Sequence, residues 1–186
     1  ILLRQRFAPM AEELVITQVD NQASAAINDA IQEQIESGEI DYERMIITEK
    51  DTSGSVTALH ANIAGINRLK TEILNRVDER LLDLSVEELG VPLGSVILPE
   101  LFSGCGPNLA VRVLAVRTSD AVFHNEFTAA GINQTLHRIT IDINVTITIL
   151  TLAGTQDVEV DSSVIAAETV IVGQVPTTYI DMEELP

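Results

Sequence analysis

The stretch from Ile139 to Ile149 reads Ile-Thr-Ile-Asp-Ile-Asn-Val-Thr-Ile-Thr-Ile, so that apolar and polar residues alternate without a break. Successive side chains of a β-strand point to opposite faces, and strict alternation is therefore typical of a strand with one buried face. The pattern predicts one long strand over Gln134–Leu152. Such a strand needs neighbours to pair with and a cover for its Ile-rich face.

Further strands are predicted on both sides of this one. In chain order, the four predicted strands are Leu109–Arg117, Ala121–Phe127, Gln134–Leu152 and Val158–Val172. The stretches predicted to separate them are Ser119–Asp120, Ala129–Gly131 and Gly154–Asp157. On the second strand we expect Phe123 and Phe127 to point inward, and His124 and Glu126 to point outward. Four consecutive strands with short turns predict an antiparallel meander.

Two amphipathic helices are predicted in the first half. Apolar residues recur every three to four positions over Pro9–Glu36, which is the rhythm of a helix with one buried face. Pro9 suits the first turn of that helix, because proline lacks the N–H that is unpaired there in any case. The same rhythm predicts a second helix over Ile66–Leu84.

A β-hairpin is predicted between the two helices. Met45–Lys50 and Ser55–Asn62 are the predicted strands, and Asp51–Gly54 supplies the turn residues. The whole pattern predicts an α+β fold, in which two amphipathic helices pack on antiparallel sheet and an α-β-β-α half is followed by the four-strand meander.

The chain is long enough for one domain, and we expect a single domain over residues 1–186. A subdivision into an α-β-β-α half (9–89) and a β-meander half (108–180) is the alternative. Residues 90–107 between them are rich in Gly and Pro and are expected to be an irregular connector that acts as a linker, a lid or an extended arm.

The charge balance bears on the partners. The chain has 11 Lys and Arg against 28 Asp and Glu, a formal net charge of −17. Nucleic acids and anionic lipid headgroups are bound by clustered cations, so neither ligand is expected here. The charge suits an ectodomain, or a partner that carries Lys and Arg. The single cysteine, Cys105, excludes an internal disulfide.

The candidates for chemistry are few. His60, His124 and His137 fall in separate predicted strands and match no metal-binding spacing, so we expect surface or edge-strand histidines. Cys105 lies in a Gly-Pro loop without the surroundings of a thiol protease. Gly104 and Gly106 form a Gly-x-Gly, but no strand-turn-helix surrounds it, so a phosphate-binding loop is not predicted.

The acidic residues are also explained by exposure to solvent. Asp157, Glu159 and Asp161 alternate on one strand face, and solvation is favoured over cation binding because no calcium-type loop is present. The same holds for the acidic residues of the first helix: Asp20, Asp29, Glu33 and Glu36. We therefore assign no catalytic, cofactor-binding or metal-binding residue, and we predict a protein that is not an enzyme. An envelope hydrolase that uses Glu126 and His137 remains an alternative.

Six phrases, in fixed order, resemble the sporulation protein YunB family of endospore-forming Firmicutes. They are Gln22–Ile31, Ile66–Lys70, Val91–Gly94, Glu100–Phe102 with Gly104–Pro107, Gly131–Thr135, and Glu168–Gly173 with Val175–Pro176. One departure is Cys105, where the family carries a basic residue. The resemblance implies a sporulation protein with an N-terminal membrane anchor that precedes this chain. It also implies a domain outside the mother-cell cytosol, between the forespore membranes, and it supplies no catalytic residue.

Two functions follow as expectations. The first is a non-enzymatic, membrane-anchored sporulation factor that acts by protein–protein interaction or self-assembly in spore envelope formation. The second is a lipid-binding or lipid-transfer domain between two membranes, since long Ile/Val strands also suit an aliphatic groove. A free edge strand or the 90–107 connector is the expected contact in the first case.

Overall fold

Helices fill most of the first half of the chain, and long strands fill the second half. The computed structural model describes residues 2–84, 89–97, 99–131, 133–151 and 154–172. The first half contains α1 (Leu2–Glu36), α2 (Tyr42–Met45), β1 (Ile46–Lys50), β2 (Val56–Ala61) and α3 (Ile63–Leu82). The connector contains β3 (Val91–Pro92), α4 (Leu93–Ile97), α5 (Pro99–Phe102) and β4 (Asn108–Leu109). The second half contains β5 (Arg112–Gly131), β6 (Gln134–Thr151) and β7 (Gly154–Val172).

The central strand β6 organises the fold. It pairs antiparallel with β5 on one side and with β7 on the other. Every second residue from His137 to Ile149 is buried beneath the helices, and the predicted alternation is therefore confirmed. α1 packs against β7 and α3 against β5, so that both helices cover one face of the sheet. The opposite face, here called the open face, carries Thr, Asn and charged side chains together with exposed apolar residues such as Val122 and Ile165.

The meander has three strands rather than four, because the turn predicted at Ser119–Asp120 is wrong. Ser119 lies opposite Val145 and Asp120 opposite Asn144 within the continuous strand β5. The two polar residues are partners for α3: Ser119 Oγ donates to Asp78 Oδ2 at 3.2 Å, and Lys70 pairs with Asp120. Polar residues that contact a helix were mistaken for polar residues of a turn.

The other two predicted separators also lie within strands. Ala129 and Gly131 belong to β5, and Gly154–Asp157 begins β7. The connections are therefore two residues long, at 132–133 and 152–153. Asn133 adopts φ +59°, a left-handed conformation that asparagine tolerates in short hairpin turns. The predicted end of β6 at Leu152 lies outside the described residues.

The hairpin and the second helix are confirmed. Asp51 Oδ1 accepts hydrogen bonds from the N–H groups of Ser53 and Ser55, which fixes the turn between β1 and β2. The side chain of Asn62 accepts from the N–H of Gly65 at 3.0 Å, and this cap starts α3 three residues before the predicted Ile66.

The first helix begins earlier than predicted. α1 starts at Leu2, so Pro9 lies inside the helix and not at its first turn. None of the described helices combines the length and the apolar character needed to cross a membrane. The α+β class is confirmed, with helices and antiparallel sheets in one hydrophobic core, while the predicted domain boundaries stay predictions.

We predict that Ile141→Ala lowers the free energy of unfolding by about 2–5 kcal/mol, because it opens a cavity under a fully buried side chain. Thr140→Ala, on the open face of the same strand, should cost much less. Urea unfolding of both variants measures the difference. Equal losses would show that β6 is not the centre of the core.

Candidate functional site

A buried histidine joins α2 to the main sheet. His137 on β6 has no exposed surface. The hydroxyl of Tyr42, the first residue of α2, lies 2.7 Å from His137 Nδ1, and Asn125 Oδ1 lies 3.2 Å from Nε2. The ring of Phe127 stacks on the imidazole, with centroids 4.1 Å apart and planes at 5°. Sequence reasoning missed Tyr42, which is 95 residues away from its partner.

The proton arrangement in this cluster favours a neutral imidazole. Tyr42 O–H donates to Nδ1, and Nε2–H donates to Asn125, which satisfies all three groups. A second ring proton on Nδ1 would face the tyrosine hydrogen. Burial lowers the pKa of His137 and raises the pKa of Tyr42, so both groups are neutral at pH 7.

The cluster does not assemble the acid–base pair considered for a hydrolase. Glu126 lies opposite Arg138 on the open face, whereas His137 faces the helices. Neighbouring residues of a strand point to opposite faces, so the sheet itself separates Glu126 from His137. The hydrogen bond between Tyr42 and His137 joins α2 to the central strand.

The three histidines occupy three different environments. His60 Nε2 lies 3.2 Å from Glu49, and His124 Nε2 lies 3.0 Å from Asp142, both on exposed side chains as expected. The expectation is wrong for His137, which is buried on the central strand. Over the described ranges, no group of three or more His, Cys, Asp or Glu side chains is placed to hold a metal ion.

Phe127 was expected to point inward, and it is 57% exposed. It lies on the covered side of β5, but beyond the stretch where α3 packs. Phe123, four residues earlier, packs against the core as predicted. His124 and Glu126 are exposed, also as predicted.

The acidic ladder of β7 is held by neighbouring polar side chains on the open face. Asp157 accepts from Thr148 Oγ1 at 2.6 Å and pairs with Arg117. Asn144 Nδ2 donates to Glu159 and Asp161 at 2.8 and 2.7 Å. These contacts agree with the solvated interpretation. Of the acidic residues singled out on α1, Asp29, Glu33 and Glu36 are exposed and Asp20 is half-buried.

The connector is a closed loop rather than a free arm. β3 pairs with β4, and the N–H groups of Leu93 and Gly94 donate to the carbonyls of Pro107 and Cys105 at 3.0 and 2.9 Å. Gly104 and Gly106, which form the Gly-x-Gly of the sequence, have φ of +74° and +94°. These left-handed conformations favour glycine and allow the chain to turn within this loop. Cys105 is exposed.

Two large apolar side chains stand at the tip of the connector. Leu101 is 74% exposed and Phe102 is 51% exposed. Gly94 leaves no room for a side chain, since a Cβ there would clash with the Phe102 carbonyl and lie 2.5 Å from that of Cys105. The close backbone approach fixes the position of the apolar pair.

A second apolar feature lies between the hairpin and the end of β7. A groove of about 580 Å³, here called the hairpin groove, is lined by β1, β2, α2 and the last residues of β7. Its apolar residues include Ile47 and Val170, each 51% exposed, and its charged residues include Glu43 and Lys50. An aliphatic groove along the Ile-rich strands was the alternative to a filled core on the sequence, and α1 and α3 fill the core beneath the sheet.

The comparisons with known proteins locate a family region in the second half of the chain. Residues 88–178 match the model of the family described as sporulation protein YunB. This stretch, here called the YunB region, is similar to that family. No curated protein and no solved structure matches the chain. The resemblance predicted from the sequence is thereby confirmed over residues 88–178, and the phrases Gln22–Ile31 and Ile66–Lys70 lie outside the match.

The described part of the YunB region contains the connector and all three long strands. Two of the phrases that carried the resemblance, Val91–Gly94 and Gly104–Pro107, hydrogen-bond to each other across the connector. They form one structural unit, in which Gly94 is required by close packing. The sequence showed both phrases, but not that they meet.

We predict that His137 makes folding pH-dependent. Its folded pKa lies below the ordinary value of 6.5, so the unfolded chain binds the proton first on acidification. The contribution of neutral His137 to the free energy of unfolding is therefore full above about pH 6.5, and it falls as the pH drops toward the folded pKa.

Urea unfolding between pH 7.5 and 5.5 measures this loss of stability. The variant His137→Gln should be less stable overall, but its stability should depend much less on pH. Arg138→Gln, the neighbour on the open face, should keep the pH dependence. If His137→Gln retains the wild-type slope, another group causes it.

We also predict that Gly94→Ala loosens the connector without unfolding the sheet. The added methyl group meets two backbone carbonyls, so the β3–β4 closure must shift. Amide hydrogen exchange should quicken at residues 93–107 and stay unchanged in β6. Ser103→Ala is the matched control, and unchanged exchange in both variants would contradict the packing argument.

Proposed function

We propose that this protein is a non-enzymatic sporulation factor that acts by binding another protein during spore envelope formation. The YunB family match supports the role in sporulation. The observation that carries the binding role is the exposed pair Leu101 and Phe102 at the tip of the closed connector.

Single exposed apolar residues are ordinary, but this pair has two features of a binding contact. The residues are adjacent in sequence, and the loop that presents them is fixed by backbone hydrogen bonds on both sides. A rigid loop loses little conformational entropy on binding, so more of the contact energy appears as affinity. Large side chains of this kind are frequent among residues that dominate an interface.

The surroundings of the pair favour a protein partner over a membrane surface. From Leu81 to Val111 the sequence contains no Lys or Arg, so no local cation would attract anionic headgroups. The chain as a whole carries a charge of −17, which suits a partner rich in Lys and Arg.

We place the domain outside the mother-cell cytosol, between the forespore membranes, and held by an N-terminal membrane anchor. The family resemblance supports this placement. The acidic surface supports it as well, because a domain repelled by anionic headgroups stays clear of both membranes. Self-assembly is the alternative form of the interaction.

Deletion of the connector is a poor test, because Val91 at its base is 5% exposed and belongs to the core. We predict instead that the double variant Leu101→Ser/Phe102→Ser folds normally. In sporulating cells, chemical cross-linking should capture a partner protein with the wild type but not with this variant. The yield of heat-resistant spores should fall at least tenfold. The reason is that the double variant removes the exposed contact and leaves the loop hydrogen bonds in place.

The matched control is Ile63→Ser/Leu82→Ser. These residues lie at the two ends of α3 and are 63% and 51% exposed, so the control loses similar apolar surface elsewhere. It should sporulate like the wild type. Normal sporulation and partner capture by the Leu101/Phe102 variant would show that this contact assignment is wrong. Lipid-sized adducts in native mass spectra of the wild type would favour the lipid-binding alternative.

A further inference from the structure

The hairpin groove runs along two strand edges. Four consecutive residues of β7, Thr169–Val172, line it, together with Ile46–Thr48 and Lys50 of β1. Consecutive residues of a strand alternate between faces, so a surface that touches all of them follows the edge of the strand. Among the described strands, β7 pairs only with β6 and β1 only with β2, and the edges that border the groove carry backbone donors and acceptors.

We propose that the hairpin groove binds an extended segment of a partner protein, which adds as a strand to the edge of β7. Apolar side chains of that segment would lie beside Ile47 and Val170, which line the groove and are each 51% exposed. An acyl chain would cover the apolar surface of the groove but leave the strand edge without hydrogen-bond partners. A polypeptide strand both covers the apolar surface and hydrogen-bonds to the strand edge.

The charges at the groove give the segment a direction. Tyr42 bonds to His137, and His137 lies opposite Thr169, so α2 with Glu43 marks the Thr169 end. Lys50 lies at the far end of β1. β7 pairs antiparallel with β6, and we take the added segment to pair with β7 in the same way. Its N-terminal end then lies beside Lys50 and its C-terminal end beside Glu43. Charge complementarity calls for an acidic residue at its N-terminal end and a basic residue at its C-terminal end.

The other outer edge of the main sheet is less suited to strand addition. Asp120 of β5 points to the open face, while Lys70 belongs to a helix on the covered face, so their ion pair passes around the edge of β5. β5 has three register irregularities along its length, whereas β7 has one, between Ile165 and Ala167. Charged side chains and bulges on an edge are features that oppose strand pairing.

Two capped heptapeptides of the same composition test the proposal. The first has Asp, then alternating Val and Thr over five residues, then Lys; the second exchanges Asp and Lys. Fluorescence anisotropy with the purified protein should show at least tenfold tighter binding of the first peptide. Lys50→Glu should reduce or reverse that preference, because it changes the sign of the charge beside the N-terminal end of the peptide.

Ile47→Asp should weaken binding of the first peptide at least tenfold. Ile165→Asp is the matched control, since Ile165 is 53% exposed on β7 and does not line the groove. Equal effects of the two variants, equal binding of the two peptides, or no binding at all would overturn the proposal. Displacement of the peptide by a fatty acid at equal concentration would also overturn it, in favour of an acyl-chain site.

The proposal rests on the proposed function, since it names a second contact for a protein partner, but the two fail separately. If Leu101→Ser/Phe102→Ser abolishes partner capture while Ile47→Asp does not, the connector contact stands and the groove proposal falls. The reverse result leaves the groove as the binding site and removes the connector assignment.

Discussion

Burial of the Ile-rich face of β6 is the constraint on which the rest of the structure depends. Six aliphatic side chains on one face of a single strand are 0–1% exposed: Ile139, Ile141, Ile143, Val145, Ile147 and Ile149. A strand with such a face cannot remain open to water, because each buried aliphatic side chain is worth about 1.5–3 kcal/mol. The face must be covered along its length, and the first half of the chain supplies the cover through α1 and α3.

The lengths of the elements decide where that cover ends. Strands of 18–20 residues extend about 60 Å, whereas the 20-residue α3 extends only about 30 Å. α3 therefore covers about half of β5, and every residue of β5 from His124 to Gly131 is exposed. Where the long helices stop, α2 and the hairpin take over, and the contact between Tyr42 and His137 joins them to the central strand.

Much of this follows from sequence, and the failures have physical causes. Periodicity found the long strand, both helices and the hairpin, because burial on one face leaves a local signal. Turns were predicted wrongly at Ser119–Asp120 and Gly154–Asp157, which both lie within strands. Their polar side chains contact α3 in the first case and polar residues of the open face in the second. Local composition does not distinguish these cases, since the deciding partner lies 40 or more residues away for Ser119.

The candidate sites were harder to predict, because they depend on pairs distant in sequence. Residue types showed that no catalytic motif is present, but not that His137 is buried against Tyr42, nor that two glycine-containing phrases close the connector. The edge of β7 beside the hairpin is a surface that exists only once β1 is placed against the sheet.

The same mismatch in length connects the fold to the proposed interaction. Where a strand is longer than its helical cover, apolar residues of the covered face stay exposed, such as Phe127, which is 57% exposed. Val170 and Val172 lie at the same end of the sheet, on its open face, and are 51% and 59% exposed. Shortening the strands would remove this surface without loss to the core beneath α1 and α3. Exposed aliphatic side chains that border a groove and strand edges serve no purpose for folding alone, whereas they suit a partner that supplies both side chains and backbone hydrogen bonds.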